Sequence, residues 1–397
     1  MSKIAIILGR LVIGGTTMDT LQAAQYLQND HEVLLIAGGG QKDEFEAAYL
    51  TDMLPQVRHE RINGFSGSIH LLRDYKAYRQ VRKVLRKFQP DIVHTHTAKA
   101  GLIGRLAAAA EKVPVIVHTY HGLIFHGYYS LAVSRWVIKL ERWLATKSTR
   151  LIALSQTQQK QIVEDYGVCK YEKTAVVPLG ISLETFADNR AQKRADFRKR
   201  YRLQEGEIAI GIVGRIVPIK NHLFFLRVAW QMQQKQWSLR YFIIGDGHLR
   251  KKLQTACEEL QLDHTYFPED PRVATITFTS WITEVDKAMA GLDIIALTSF
   301  NEGTPVSLME AQAAAKPVIA TKAGGIDDIV QNNSTGFTIA QGDEAQFVEK
   351  LQYLVANPVE MKAMGEAGEL FAHQQFRKQR QVEDLTRLYG QLLAEAK

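Results

Sequence analysis

Residues 293–321 read DIIALTSFNEGTPVSLMEAQAAAKPVIAT. The stretch opens on a short apolar run, DIIALTS (293–299), and closes on another, KPVIAT (316–321), each the length of a buried strand. Between them TPVSLMEAQAAA has helical composition, with Thr304 suited to the N-cap and Pro305 to the first helical position. Strands that alternate with helices imply a parallel sheet covered on both faces. The turn after the first strand carries Glu302, and Glu310 follows in the second turn of the helix.

The same alternation runs the length of the chain. Strand candidates occupy 3–9, 32–38, 91–96, 113–120, 150–155 and 174–180, and a second series occupies 208–214, 239–245, 274–280, 293–299, 316–321 and 336–340. A dozen strands are too many for one comfortable sheet. The Gly- and Asp-marked segment PLGISLETFADNR (178–190) divides them into two series. The expected fold is α/β, with two doubly wound, Rossmann-like domains at 1–182 and 183–375 facing across a cleft, and ligand at the carboxyl ends of both sheets. A last helical segment, 376–397, could pack on either half.

Composition fits an ordinary soluble globular protein: 397 residues, 46% apolar and 23% charged. A net charge of +7 suits anionic ligands or an anionic membrane surface and is too diffuse to argue for nucleic acid. Cys169 and Cys257 form no metal or disulfide framework, so a reducing, cytoplasmic compartment is expected. The first apolar run, Ile4 to Leu8, is broken by Gly9-Arg10 and reads as a buried strand, not an export signal. No stretch approaches the roughly 18 apolar residues of a spanning helix, so any membrane contact is expected to be peripheral.

Several loops carry binding chemistry. A helix start beside Gly303, Thr304, Pro305 and Val306 offers N–H groups and a positive dipole end to an anion, while Glu302 and Glu310 can take hydroxyls. Alternatively, Glu310 is an ordinary surface residue and Glu302 a loop charge. GIVGRIVPIKNH (211–222) places Arg215 and Lys220 after a buried strand, suited to a diphosphate or simply a solvated basic loop. Gly245 and Gly247 in FIIGDGHLRKKL (242–253) and Gly14 and Gly15 in IGGTT (13–17) permit close approach of a ligand to bare backbone. Neither GxGxxG nor a Walker A pattern occurs.

Histidines concentrate at His94, His96, His118, His121 and His126. With neither HExxH nor DxD present, no metal is expected there, although a metal-dependent hydrolase remains the rival reading of the cluster. His121, just past its strand, is the best site histidine, and His94 reads as a packing residue. RDYKAYRQVRKVLRKF (73–88) holds seven basic residues and one acidic residue over an apolar stripe of Tyr75, Tyr78, Val81 and Leu85. It is either a solvated surface helix or a patch for anionic lipid.

Taken together, E-x7-E (Glu302, Glu310), GR-x4-K (Gly214, Arg215, Lys220), GDG at 245–247, AGG at 323–325, the early GG loop and TYHG at 119–122 resemble the retaining glycosyltransferases of family 4, with the GT-B fold. The resemblance covers about residues 3–375. It implies a nucleotide-diphosphate sugar, most often a UDP-sugar, held mainly by the second domain. Glu302 would then contact donor-sugar hydroxyls, Glu310 the ribose, Arg215 and Lys220 the diphosphate, and Gly303 to Val306 the sugar and phosphate. His121 would be the active-site histidine, with Gly14 and Gly15 beside donor phosphate and acceptor. It further implies a glycan or lipid-linked acceptor, no bound metal or other cofactor, and a last helix that crosses back to the first domain. The chain departs from the family pattern at Leu179-Gly180-Ile181-Ser182, at Asp328 and at Asn221. Rival readings keep the fold and change the reaction to nucleotide-sugar epimerisation or hydrolysis, or remove catalysis and leave a sugar-binding protein.

Overall fold

The computed structural model describes residues 1–12, 14–38, 57–63, 65, 70–123, 130–233 and 237–396. The chain divides into two compact units, Met1–Gly180 with Lys378–Lys397, and Ile181–Arg377. The first contains β1 (Lys3–Arg10), β2 (Glu32–Gly38), β3 (Arg58–Ile62), β4 (Ile92–His96), β5 (Val115–Thr119), β6 (Arg150–Ala153) and β7 (Thr174–Val176). They form one parallel sheet in the order β3-β2-β1-β4-β5-β6-β7. The second contains β8 (Ile208–Val213), β9 (Leu239–Ile244), β10 (His264–Tyr266), β11 (Ile276–Ser280), β12 (Ile294–Leu297), β13 (Val318–Thr321) and β14 (Gly336–Ile339). Its sheet is also parallel, in the order β10-β11-β9-β8-β12-β13-β14.

β1 explains why these strands are apolar without alternation. Ile4, Ile6 and Leu8 face one core, which contains Leu21 and Leu27, while Ala5 and Ile7 face another with Ala77, Val81 and Ile103. Successive strand residues point to opposite faces, and helices cover both, so every position from Ile4 to Gly9 is buried. In the second unit Ile210, Ile212, Tyr241, Ile243, Ile276 and Phe278 form the corresponding core with Phe224 and Phe347.

Each sheet reverses its strand order at one place, between β1 and β4 in the first unit and between β8 and β12 in the second. Loops leaving the carboxyl ends on either side of such a reversal diverge, and the crevice left between them is where open α/β sheets take ligands. The second reversal is bridged by short contacts: Thr298 Oγ1 donates to the Lys220 and Asn221 carbonyls at 3.1 and 3.0 Å, and Phe300 N donates to Ile219 O at 2.8 Å.

β3 and β10 were not among the expected strands. β3 is charged RHERI, in which only Ile62 is buried, and β10 is three residues long. Both lie at sheet edges, where one neighbour is missing and the apolar signal fades. The basic helix spans Leu71–Phe88 and buries Ala77, Val81, Leu85 and Phe88. The expected stripe is thus corrected: Tyr75 is 60% exposed, and the buried line recurs at spacings of three and four from Ala77. No helix of the described residues is long and apolar enough to cross a membrane.

Candidate active site

In the second unit, the segment after β12 turns sharply and enters the helix Val306–Ala313. Pro305, with φ −72° and ψ 102°, is the cap, so the helix starts one residue later than Thr304-Pro305 predicts. The preceding loop is held by the AGG turn. Gly325 N donates to Gly303 O at 3.1 Å, and a Cβ at Gly324 would stand 1.8 Å from Glu302 O. Gly324 also has φ +56°, so both its conformation and its neighbour demand glycine.

Glu302 and Lys220 meet across the sheet reversal. Lys220 Nζ donates to Glu302 Oε1 at 2.6 Å, and Ser299 Oγ donates to the same oxygen. Both donors thus converge on Oε1. The Lys220 ammonium, spending one of its three donors on Glu302, retains others. Asn221 follows at φ 49°, ψ 47°, a left-handed position that asparagine tolerates better than most side chains. Arg215, on the same loop, is exposed, and its guanidinium has no partner among the described residues.

The GDG loop after β9 supports this arrangement from one side. At Gly245, φ is +129° and a Cβ would lie 2.1 Å from Gly214 O, so the two loops can approach only as bare backbone. Asp246 accepts from Gly247 N at 2.7 Å and Arg250 Nε at 3.1 Å with one oxygen, and from Ser280 Oγ at 3.0 Å with the other. It therefore ties the loop after β9 to the end of β11.

Glu310 lies within the helix, partly buried, with no cation beside it among the described residues. Desolvation, and secondarily the charge of Asp286, pushes its carboxyl up to about 8.

In the first unit, His121 follows β5 and its Nε2 lies 2.8 Å from His96 Nδ1. His94 bridges Tyr389 Oη at 2.6 Å and Thr119 Oγ1 at 2.7 Å, which makes it the satisfied packing residue expected. His118 Nδ1 meets Thr95 Oγ1 at 2.8 Å. Burial, then repulsion from His121, lowers His94 to about 3. Burial likewise depresses His96, His118 and His121. With both imidazoles neutral, one of His96 and His121 must donate to the other, which fixes their relative tautomers. Among the described residues no three His, Cys, Asp or Glu side chains are grouped to hold a metal. His126 lies outside the described residues.

Gly14 caps the helix Gly15–Leu27, and a Cβ there would meet nothing within 4 Å. One turn on, buried Asp19 accepts from Lys378 Nζ at 2.7 Å and Gln381 Nε2 at 2.9 Å. Burial would raise the Asp19 carboxyl, but the charge of Lys378 and the hydrogen bonds from Lys378 and Gln381 outweigh it and hold it low. Lys378 opens the helix Lys378–Glu395, in which Arg380 Nη2 binds the Pro178 and Leu179 carbonyls, both at 2.9 Å. Ser299, Asp246, His96 as the partner of His121, and the Asp19–Lys378 pair were missed by sequence reasoning. Only Asp246, between two glycines, left a local signal. Asp19 and Lys378 are 359 positions apart.

Residues 13–185 match Glycosyltransferase Family 4, and residues 193–371 match Glycosyl transferases group 1. A UDP-Gal:α-D-GlcNAc-diphosphoundecaprenol α-1,3-galactosyltransferase of Escherichia coli is 29% identical over 354 residues, 88% of this chain and 87% of its own. The capsular polysaccharide biosynthesis glycosyltransferase CapM of Staphylococcus aureus is 27% identical over 335 residues, 83% of this chain and 84% of its own. Among solved structures, Anabaena HepE in complex with UDP and glucose shares the fold, with a TM-score of 0.82 at 17% identity over 98% of this chain and 100% of its own. With both halves matched in order and two parallel seven-stranded sheets of the GT-B type, the chain belongs to glycosyltransferase family 4, the group 1 enzymes that transfer sugar from nucleotide donors with retention.

Proposed function

We propose that the protein transfers a hexose from a UDP-sugar to a lipid-linked glycan acceptor at the cytoplasmic face of a membrane, in the assembly of a surface polysaccharide. The observation that carries the donor assignment is the Lys220–Glu302 pair at the sheet reversal, on loops that also bring the exposed Arg215 and the start of helix Val306–Ala313. The names of the Escherichia coli and Anabaena proteins, one acting with UDP-Gal on a diphosphoundecaprenol acceptor and one binding UDP and glucose, support the choice of donor and acceptor.

The barrier is cleavage of the anomeric bond to a diphosphate. Negative charge grows on the leaving oxygen, and Arg215, Lys220 and the unpaired N–H groups at the helix start stabilise it without reorganising. Glu302, anchored through Oε1, presents Oε2 to sugar hydroxyls and fixes the sugar's pose. Glu310 accepts from the ribose hydroxyls once ionised. His121, with its tautomer set by His96, hydrogen-bonds the sugar or phosphate, and Gly14 and Gly15 admit phosphate or acceptor against backbone. The basic face of helix Leu71–Phe88 serves as a contact for anionic lipid.

A thermal-shift screen across nucleotide sugars tests this reading. Saturation at about 100 times Kd adds about 2.7 kcal/mol, so a UDP-sugar is expected to raise Tm where free sugars do not. Arg215→Ala and Glu310→Ala are expected to abolish that shift and to lower transfer at least tenfold with the fold intact. Near-normal transfer by both variants would sink the donor-site assignment.

A further inference from the structure

The helix Leu131–Thr146 has an unusual outer face. Its inner face buries Ser134, Glu141, Leu144 and Ala145. Its outer face leaves Leu131 81%, Trp136 61% and Trp143 47% exposed. Ala132, Trp136, Lys139, Trp143 and Lys147 recur at spacings of three and four, and so share one stripe. Arg135 and Arg142 flank it, also exposed. Lys147 Nζ stands 6.0 Å from the Trp143 ring centroid. The helix's one acidic residue, Glu141, is turned inward, where Arg105 Nη2 holds it at 2.8 Å. The exposed face is therefore cationic and aromatic with no carboxylate.

We infer that this face docks on an anionic lipid bilayer, the two tryptophans lying at the headgroup level and the lysines and arginines on lipid phosphates. Exposed tryptophan interleaved with Lys and Arg is the composition of a membrane-interface helix. A protein partner is the poorer fit, because the cores of protein interfaces are depleted in lysine, and here Lys139 lies between the two tryptophans on the stripe. The same unit carries a second basic helix. The helix Ala98–Ala110 packs against both Leu131–Thr146 and Leu71–Phe88. The latter leaves Leu71 84%, Leu72 72% and Tyr75 60% exposed, and its Asp74 is paired with Lys99 at 2.7 Å. Of its cations, Arg82 and Arg86 are already neutralised by Glu111. The tryptophan helix is thus the anchor, and the basic helix an electrostatic flank. The inference goes beyond the donor and acceptor assignment, since docking needs neither.

The test is co-sedimentation of the full chain with vesicles of phosphatidylcholine alone and of phosphatidylcholine mixed with phosphatidylglycerol. The wild type is expected to bind the mixed vesicles with a blue shift of tryptophan emission. Trp136→Ser with Trp143→Ser, and separately Lys139→Glu with Lys147→Glu, are each expected to weaken that binding about tenfold. Transfer to a water-soluble acceptor analogue and Tm are expected to stay unchanged, which separates loss of docking from failure of the glycosyltransfer reading. Undiminished binding by both folded variants overturns the inference, as does loss confined to a Lys76→Glu, Arg79→Glu variant. Tryptophan-dependent self-association without vesicles overturns it in favour of a second copy of the chain.

Discussion

Lys220 and Glu302 are each legible in the sequence as charges on neighbouring loops, but their union is not. They are 82 positions apart, and only the reversal of strand order between β8 and β12 places their loops side by side. The pairing changes what each does. A carboxylate held by an ammonium at one oxygen is pre-oriented at the other, and on the proposed donor assignment that orientation fixes the sugar's pose. Glu310 differs: among the described residues no cation stands beside it, and its carboxyl is raised to about 8 by burial. On the proposed assignment to the ribose, donor hydroxyls favour the ionised form. Donor affinity is therefore expected to rise with pH through about 8, by up to about tenfold per pH unit, and Glu310→Gln should flatten the profile. Titration of a UDP-sugar by calorimetry at several pH values measures it, and an identical profile in the variant refutes it. The sign for folding is opposite. A carboxyl raised in the folded state contributes stability that is full below its ordinary 4.5 and is lost as pH climbs toward about 8.

Among elements, the strands were the most legible, because a parallel strand buried on both faces is apolar throughout and marks itself. The departures have physical causes. Edge strands lack a second neighbour, and the cap at Pro305 is set by the AGG turn of another loop. Least legible was what joins helix to helix. Arg105, fully buried on the helix Ala98–Ala110, donates through Nη2 to both Glu141 oxygens at 3.0 and 2.8 Å, and Tyr120 Oη donates to Glu141 at 2.8 Å. This triad locks two helices and the residue preceding His121. Glu141→Ala leaves the Arg105 charge buried and uncompensated, at a cost of about 3–5 kcal/mol. An Arg105→Met, Glu141→Leu pair is expected to recover most of it. Urea denaturation midpoints compare them, and a loss below about 1 kcal/mol in the single variant would contradict the account.

For the whole molecule, the two-sheet plan was legible from twelve strand signals and a dividing segment, whereas the destination of the last helix came only from the family resemblance. Its Leu385, Leu388, Tyr389 and Leu392 complete the core under β1. Removing residues 378–397 is expected to strip hydrogen-exchange protection from Ile4–Leu8 and to leave Ile210–Ile212 protected. Equal protection at both would show that the helix is dispensable. The chain path has a temporal consequence as well. The first unit begins at residue 1 and is finished only by the last twenty or so residues, with the whole second unit threaded between. At about 5–20 residues per second, a ribosome holds the unfinished first unit for about 10–40 s after its seventh strand has emerged. The second unit, although made later, is the first that can close its core. For that interval the nascent first unit presents an uncovered apolar sheet face, and chaperone demand during synthesis falls on the half of the enzyme that was made first.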